Sequence, residues 1–154
     1  MKVPLKKYEV EIAENVLKAL SSFKQKGKNK FEAGGILLGQ VVKNTIYITK
    51  LSFPNHLDKA KRTFFDRHKL PAQIIINHEF SNSDGKTIYL GEWHTHPELT
   101  PTPSSVDLKM LKQQFKMNRL NLDCIYLLIQ GINELYLGEY DGKNIVSNNM
   151  KNPF

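Results

Sequence analysis

Apolar and polar positions recur along this chain with two different periods, and each period predicts a different element. From about residue 8 to 23 the apolar positions follow helical spacing, which predicts an N-terminal helix; they are Val10, Ile12, Val16, Leu17, Leu20 and Phe23. Residues 34–42 and 45–51 are β-prone runs separated only by Lys43 and Asn44. That spacing is typical of a tight antiparallel hairpin.

The rest of the chain also divides into predicted loops, helices and strands. Residues 54–69 are polar and basic without a clear period, so we predict a long functional loop. The β-branched residues of 71–80 favour a strand, but Pro71 favours a helix start, and we predict a helix. Further on we predict a strand over 87–96, a proline-rich loop, a helix over about 105–118, strands over 124–129 and 134–140, and a polar tail.

Composition narrows the class of protein. A chain of 154 residues with 40% apolar and 24% charged content predicts one domain over residues 1–154. No window approaches the roughly 20 apolar residues of a membrane span, and the N-terminus lacks the apolar stretch of a secretion signal, so we expect a cytoplasmic protein without a membrane partner. The single cysteine, Cys124, lies in an apolar run and is predicted to be a small buried hydrophobe.

The charge balance favours acidic partners without choosing among them. The formal net charge is +7 and the pI is near 9.4. The basic residues are spread over several segments without the aromatic interleaving of single-strand binders, so we do not expect nucleic acid as the main partner.

The segment around residues 94–107 carries the chemistry. His94 and His96 stand two apart at the end of a β-prone run, so their side chains share one face of a strand. Pro101, Pro103 and Ser104 then end the strand and start a helix that brings Asp107 back in its first turn. Two imidazoles and one carboxylate leave a fourth position open, which is typical of a catalytic zinc site.

A hydrolytic zinc site also needs a general base that is not a ligand. The spacing leaves four candidates, which are Glu32, Glu79, Glu92 and Glu98. Ser104 is a candidate helix N-cap whose hydroxyl could also stabilise an oxyanion, and Ser105 competes for that position.

These residues resemble the motif of the JAB/MPN (JAMM) metallopeptidases, an upstream Glu, then His-x-His-Pro, then Ser-x-x-Asp. Glu32 precedes Ala33-Gly34-Gly35-Ile36, and every later position of the motif is filled between His94 and Asp107. The resemblance covers about residues 32–140. It implies an α/β fold with a mixed central β-sheet flanked by helices, of the cytidine-deaminase-like kind. It also implies Glu32 as general base, His94, His96 and Asp107 as zinc ligands, and Ser104 as oxyanion stabiliser.

Within that family the chain looks most like the small bacterial JAB proteins of CBASS antiphage operons. This implies a deubiquitinase-like isopeptidase that releases the C-terminus of a cyclic-nucleotide synthase from a conjugation target, reversing an E1/E2-like ligase. Two alternatives stay open. One is a JAB peptidase that trims a sulfur-carrier or other ubiquitin-like precursor, and the other is a DNA-associated accessory domain that uses the positive charge.

Overall fold

A mixed eight-stranded β-sheet forms the centre of the computed structural model, which describes residues 1–154. Its strands, in chain order, are β1 (Lys2–Pro4), β2 (Glu9–Ile12), β3 (Gly34–Val42), β4 (Thr45–Leu51), β7 (Ile88–Thr95), β8 (Ile125–Gln130), β9 (Glu134–Tyr140) and β10 (Ile145–Lys151). Across the sheet their order is β1-β2-β4-β3-β7-β8-β9-β10. A separate hairpin is formed by β5 (Lys59–Lys61) and β6 (Phe64–Asp66).

Two parallel pairs make the sheet mixed. The pairs β2–β4 and β7–β8 are parallel, and all other neighbours are antiparallel. Parallel neighbours need a crossover connection, and a helix supplies it in both cases. Because β7 and β8 run in the same direction, the ends of both strands and the start of β3 meet at one edge of the sheet.

Three helices cover the two faces of the sheet. Helix α1 (Glu14–Ser22) buries Val16, Leu17 and Leu20 in a large core with Trp93 and Leu128. On the opposite face α2 (Lys69–Asn82) packs on Ile36 and Leu38, and α3 (Ser105–Met117) packs through Leu111 on Ile125, Leu127 and Ile129. The sheet flanked by helices is the α/β arrangement expected from the sequence.

Two glycines permit close approaches of neighbouring residues to strands β3 and β7. At Gly91 a side chain would place its Cβ 1.9 Å from the Tyr126 carbonyl oxygen, next to a register shift between β3 and β7. At Gly34 a Cβ would lie 2.4 Å from the ring of Phe65, so this glycine lets the β5–β6 hairpin pack directly on β3. Such contacts leave room only for hydrogen, which explains glycine at both positions.

Most predicted elements are confirmed, and three predictions need correction. The hairpin over 34–51, the helix over 71–80 and the elements from residue 87 to 140 are present within a few residues. Residues 9–12 are strand β2, not helix, because their apolar positions alternate and pair with β4. The predicted loop over 54–69 contains the β5–β6 hairpin, and the predicted polar tail is the edge strand β10, which pairs with β9 over seven residues.

Helices long and apolar enough to traverse a bilayer are absent from this structure.

Candidate metal centre

Strand β7 brings the two histidines to one face of the sheet. His94 pairs with Ile129 of β8, and Ile129 packs on α3, so the imidazole of His94 lies on the α3 side. His96 follows directly after the strand, and its backbone N–H donates to the carbonyl of Gln130. The Nε2 atoms of His94 and His96 lie 3.1 Å apart, and both residues are buried. The predicted convergence of an i, i+2 pair is therefore observed.

Asp107 approaches the same point from the first turn of α3. Ser104 is the N-cap, and a capping box fixes the turn, because the Asp107 N–H donates to Ser104 Oγ and the Ser104 N–H donates to Asp107 Oδ2 at 2.7 Å. Asp107 Oδ1 lies 3.3 Å from His94 Nε2, and Oδ2 lies 3.4 Å from His96 Nε2. The cap thus orients the carboxylate toward the two imidazoles.

The three side chains fit a divalent ion that accepts nitrogen and oxygen ligands. Their ligand atoms all lie within 4.8 Å of one another. A tetrahedral ion with bonds of about 2.0–2.1 Å holds its ligands roughly 3.3 Å apart, which is close to the separations seen here. Two imidazoles and one carboxylate are a donor set that zinc accepts, although other transition metals share this preference. A metal centre at this position is therefore compatible with the geometry.

The carboxylate of the three also has the right charge state. Burial acts to raise the pKa of Asp107, but hydrogen bonds from His94 and His96, the charge of His94 and the hydroxyl of Ser104 outweigh it. Together they hold the pKa of Asp107 well below its usual range. Asp107 is therefore ionised at neutral pH, as a metal ligand must be.

Glu32 is the carboxylate that the fold places beside the histidines. It lies just before β3, and the antiparallel pairing of Gly34 with His94 brings it to the same edge of the sheet. Its Oε1 lies 4.0 Å from His96 Nε2, and the residue is buried. Burial raises the pKa of Glu32 to about 7; His96 opposes the shift, while Asp107 and Glu98 add to it. A carboxylate of that pKa can exchange a proton near neutral pH.

The other three candidate bases are occupied elsewhere or more exposed. Glu92 accepts two hydrogen bonds from Arg67 and one from Tyr89, and Glu79 pairs with Lys50. Glu98 lies 3.7 Å from Nδ1 of His96, on the side away from the other two ligands, and its side chain is half exposed. The geometry therefore favours Glu32, as the family resemblance implies.

A cavity of about 300 Å³ is lined by Glu32, His96 and Asp107. The β5–β6 hairpin forms one wall through Thr63, Phe64 and Phe65, and the first turn of α3 forms another. Ser104, the N-cap of α3, lines this cavity, and Ser105 is not among its lining residues. The Ser104 hydroxyl donates to Asp107 Oδ2 at 2.7 Å, so it lies close enough to the centre to reach a bound group.

Gln25 connects three segments of the site, and the sequence gives no sign of it. Its amide nitrogen donates to the carbonyls of Lys30 and Arg62, and its oxygen accepts from the hydroxyl of Thr95. The Thr95 hydroxyl also accepts from the N–H of Ala33. Gln25 and Thr95 are almost completely buried. One side chain thus joins the segment before Glu32, the hairpin and the strand of the histidines, although Gln25 stands in an otherwise lysine-rich polar stretch.

Arg67 supplies a second tie between the hairpin and the central strand. Its guanidinium donates to both carboxylate oxygens of Glu92, at 3.0 and 2.8 Å, and both side chains are largely buried. Glu92 stands two residues before His94 and so shares its face of β7. A bidentate pair of this kind fixes orientation as well as distance. It anchors the start of α2 and the end of the hairpin beside the histidines.

Comparison with known proteins shows the family of this chain. The family described as prokaryotic homologs of the JAB domain matches residues 13–138 of the chain. This protein belongs to that family. The match begins at the residue before α1 and ends within β9, so it includes Glu32, both histidines, Ser104 and Asp107.

Relatives of this JAB protein carry a more specific name. It is 34% identical over 130 residues to a "CD-NTase/cGAS isopeptidase" of Escherichia coli, a match that covers 84% of this chain and 81% of the relative. A Vibrio cholerae protein of the same name is 32% identical over 130 residues, which is also 84% of this chain and 81% of the relative. A Pseudomonas aeruginosa protein of that name is 34% identical over 98 residues, which is 64% of this chain and 62% of the relative.

The fold is shared with a more distant protein of known structure. A protein from Desulfitobacterium hafniense, solved in solution, superimposes with a TM-score of 0.62 over 90% of this JAB chain and 89% of its own. The two sequences are only 16% identical, so this likeness concerns the fold alone.

Proposed function

We propose that this JAB protein is a zinc-dependent isopeptidase that releases the C-terminus of a cyclic-nucleotide synthase from the proteins to which it is conjugated, within CBASS antiphage defence. The observation that carries the proposal is the convergence of His94, His96 and Asp107 beside the buried carboxylate of Glu32, next to a cavity that Glu32, His96 and Asp107 line. The name shared by three bacterial relatives supports the substrate class. It favours conjugate cleavage over the trimming of a ubiquitin-like precursor.

In this proposal each residue has one task. His94, His96 and Asp107 hold the zinc ion, which when bound polarises a carbonyl and lowers the pKa of water toward about 7. Glu32 takes a proton from the attacking water. The bond between the substrate carbonyl carbon and the lysine nitrogen then breaks, and Glu32 returns the proton to the leaving amine. The products are a free C-terminal carboxylate and a free lysine amine.

Ser104 is proposed to stabilise the negative charge that develops on the carbonyl oxygen. In the structure its hydroxyl hydrogen is donated to Asp107. The proposed role requires that the hydroxyl turn this hydrogen toward the substrate, while its oxygen continues to accept from the Asp107 N–H. Residues 1–154 act as one catalytic domain in this proposal, because the eight-stranded sheet that positions these groups includes strands from β1 to β10.

The proposal is tested with a purified conjugate between the synthase and an acceptor protein. Glu32→Gln should keep zinc bound and lower the rate of cleavage by about 10²–10⁴-fold, since it removes the proton acceptor but no ligand. Glu79→Gln is the matched control, because Glu79 pairs with Lys50 away from the cavity. Full activity of Glu32→Gln, or wild-type zinc protein that leaves the conjugate intact, would overturn the proposal.

A further inference from the structure

Six exposed basic side chains cluster beside the mouth of the cavity, on two segments that the proposed chemistry does not use. We call this cluster the basic lobe; it consists of Lys26, Lys28, Lys30, Lys59, Lys61 and Arg62. The residues between 26 and 31 carry no acidic side chain, and Asp66 is the one carboxylate on the β5–β6 hairpin. The two segments are far apart in the sequence, so only the fold brings their charges together.

Backbone contacts show that the two segments are neighbours. The guanidinium of Arg62 donates to the carbonyl oxygens of Gly27 and Lys28, at 3.1 and 2.7 Å. Gln25 donates to the carbonyl of Arg62 at 2.9 Å. These bonds hold the lysine-rich segment against the turn of the hairpin, so the basic lobe is one surface.

The charges of the basic lobe are not neutralised within the molecule. None of its six side chains forms an ion pair, whereas Lys2, Lys6, Lys7, Lys18, Lys50 and Arg67 each contact a carboxylate within 4.0 Å. Because Arg62 lies against the lysine-rich segment, like charges on the two segments repel one another, and a stable fold gains nothing from this arrangement. An external acidic partner would relieve the repulsion.

The basic lobe is also fixed relative to the site. The N–H of Glu32 donates to the carbonyl of Lys61 at 2.8 Å, so the lobe begins at the backbone of the proposed base. Next to the lobe, the apolar side chains of Phe31 and Phe64 are 64% and 42% exposed; Val106 on α3 is 65% exposed and lines the cavity together with Phe64. An apolar centre with a charged rim is the usual anatomy of a protein–protein interface.

We infer that the basic lobe docks an acidic surface on the body of the substrate protein whose C-terminus enters the cavity. This inference rests on the proposed function and deepens it. A protein is favoured over nucleic acid because the exposed apolar side chains of Phe31, Phe64 and Val106 adjoin the lobe or the cavity beside it, and a protein surface can cover them whereas a phosphate chain cannot. Docking through charge raises the rate of encounter, so the expected signature is a salt-dependent kcat/KM.

The test compares two triple variants with the same change in net charge. Lys28→Glu/Lys59→Glu/Lys61→Glu reverses three side chains of the lobe that make no hydrogen bond. Lys43→Glu/Lys86→Glu/Lys143→Glu is the control, since these residues are exposed in turns at the opposite edge of the sheet. Both are assayed on the full conjugate and on a short isopeptide that carries only the C-terminal residues of the synthase.

We expect the lobe variant to lower kcat/KM on the full conjugate by about tenfold at low salt, mainly through KM, and to flatten the dependence on salt. The control should change it by about twofold or less. Neither variant should affect the short isopeptide. Equal losses for both variants on the conjugate, or an equal loss on the short isopeptide, would overturn the inference.

A binding measurement separates this inference from the proposed function. The Glu32→Gln protein and its lobe and control triples are titrated with fluorescently labelled synthase, and in parallel with labelled duplex DNA. Salt-sensitive binding of the synthase that only the lobe triple loses would support the inference even if wild-type protein cleaved nothing. Binding of DNA alone, lost in the lobe triple, would assign the surface to nucleic acid and refute a protein partner.

Discussion

Two clusters of buried titratable groups lie on opposite faces of the sheet, and only one of them has the properties of a reactive site. At the candidate metal centre, three side chains bring their ligand atoms within 4.8 Å of one another, and two of them, His96 and Asp107, line a cavity. On the α1 side, the Cys124 thiol donates to the Tyr126 hydroxyl, which donates to Glu139 at 3.0 Å, and Glu139 also accepts from the backbone of Lys7. That second cluster is a closed chain of hydrogen bonds.

Burial shifts pKa values in both clusters, so a shifted pKa alone does not distinguish them. It raises the pKa of Glu32 to about 7 and that of Cys124 to about 11, and it raises the pKa of Tyr126 far above its usual value. The clusters differ in where their polar atoms point and in whether a ligand can reach those atoms. At the metal centre the donor atoms point at a shared open position, whereas Cys124, Tyr126 and Glu139 point at one another.

The largest expected effect is the loss of zinc binding and cleavage activity when the candidate metal centre is changed, but not when the second cluster is changed. His96→Ala should lose stoichiometric zinc and lower conjugate cleavage by more than about a thousandfold. The reason is that it removes a ligand of the zinc ion, which stabilises the transition state by several kcal/mol. Elemental analysis and the cleavage assay measure both quantities. Tyr126→Phe is the control from the other cluster and should keep zinc and activity within about twofold. Retained zinc in His96→Ala would contradict the assigned ligand.

Cys124 tests whether the second cluster is closed. A thiol with a pKa of about 11 carries on the order of a hundredfold less thiolate at neutral pH than an ordinary cysteine, and the thiolate is the form that reacts. Labelling by a thiol-reactive dye should therefore be at least about a hundredfold slower in the native protein than in urea. Rapid native labelling would show that this region opens. Cys124→Ala should retain full cleavage activity.

Gln25 sharpens the comparison, because it is buried and polar like the second cluster but serves the first. Gln25→Met should reduce kcat/KM by about tenfold with zinc retained, since the backbone of Lys30 and the hairpin both lose an anchor. It should also lower the free energy of unfolding by about 1–3 kcal/mol. Tyr126→Phe, with a similar loss of stability, should leave kcat/KM unchanged.

A positioning role for Gln25 has a further consequence. Thr95→Val removes the hydroxyl that Gln25 accepts from, whereas Thr95→Ser keeps it. Thr95→Ser should therefore keep most of the wild-type kcat/KM, whereas Thr95→Val should lose it. If Gln25→Met and Tyr126→Phe had equal kcat/KM at equal stability, Gln25 would have only a structural role.

Two of the three errors in the predicted fold, at β10 and at the β5–β6 hairpin, share one cause. Strands β1 and β10 lie at the two edges of the sheet, and β10 consists mostly of polar and exposed residues. An edge strand buries little, so its sequence carries a weak alternation, and its formation depends on the neighbour that supplies hydrogen bonds. The same holds for β5 and β6, which pair only with each other and pack on Gly34 through Phe65.

What the sequence determined by itself is local. His94 and His96 share a face because residues two apart in a strand do so, and Asp107 returns because the N-cap of a helix lies three residues before it. The tertiary structure decided everything that joins distant segments. The proximity of Glu32 to His96 depends on the pairing of β3 with β7. The contacts of Gln25 and the grouping of the basic lobe depend on hydrogen bonds between the lysine-rich segment and the hairpin. Local geometry follows from the repeat of the backbone, but the proximity of remote residues follows only from the packing of the whole chain.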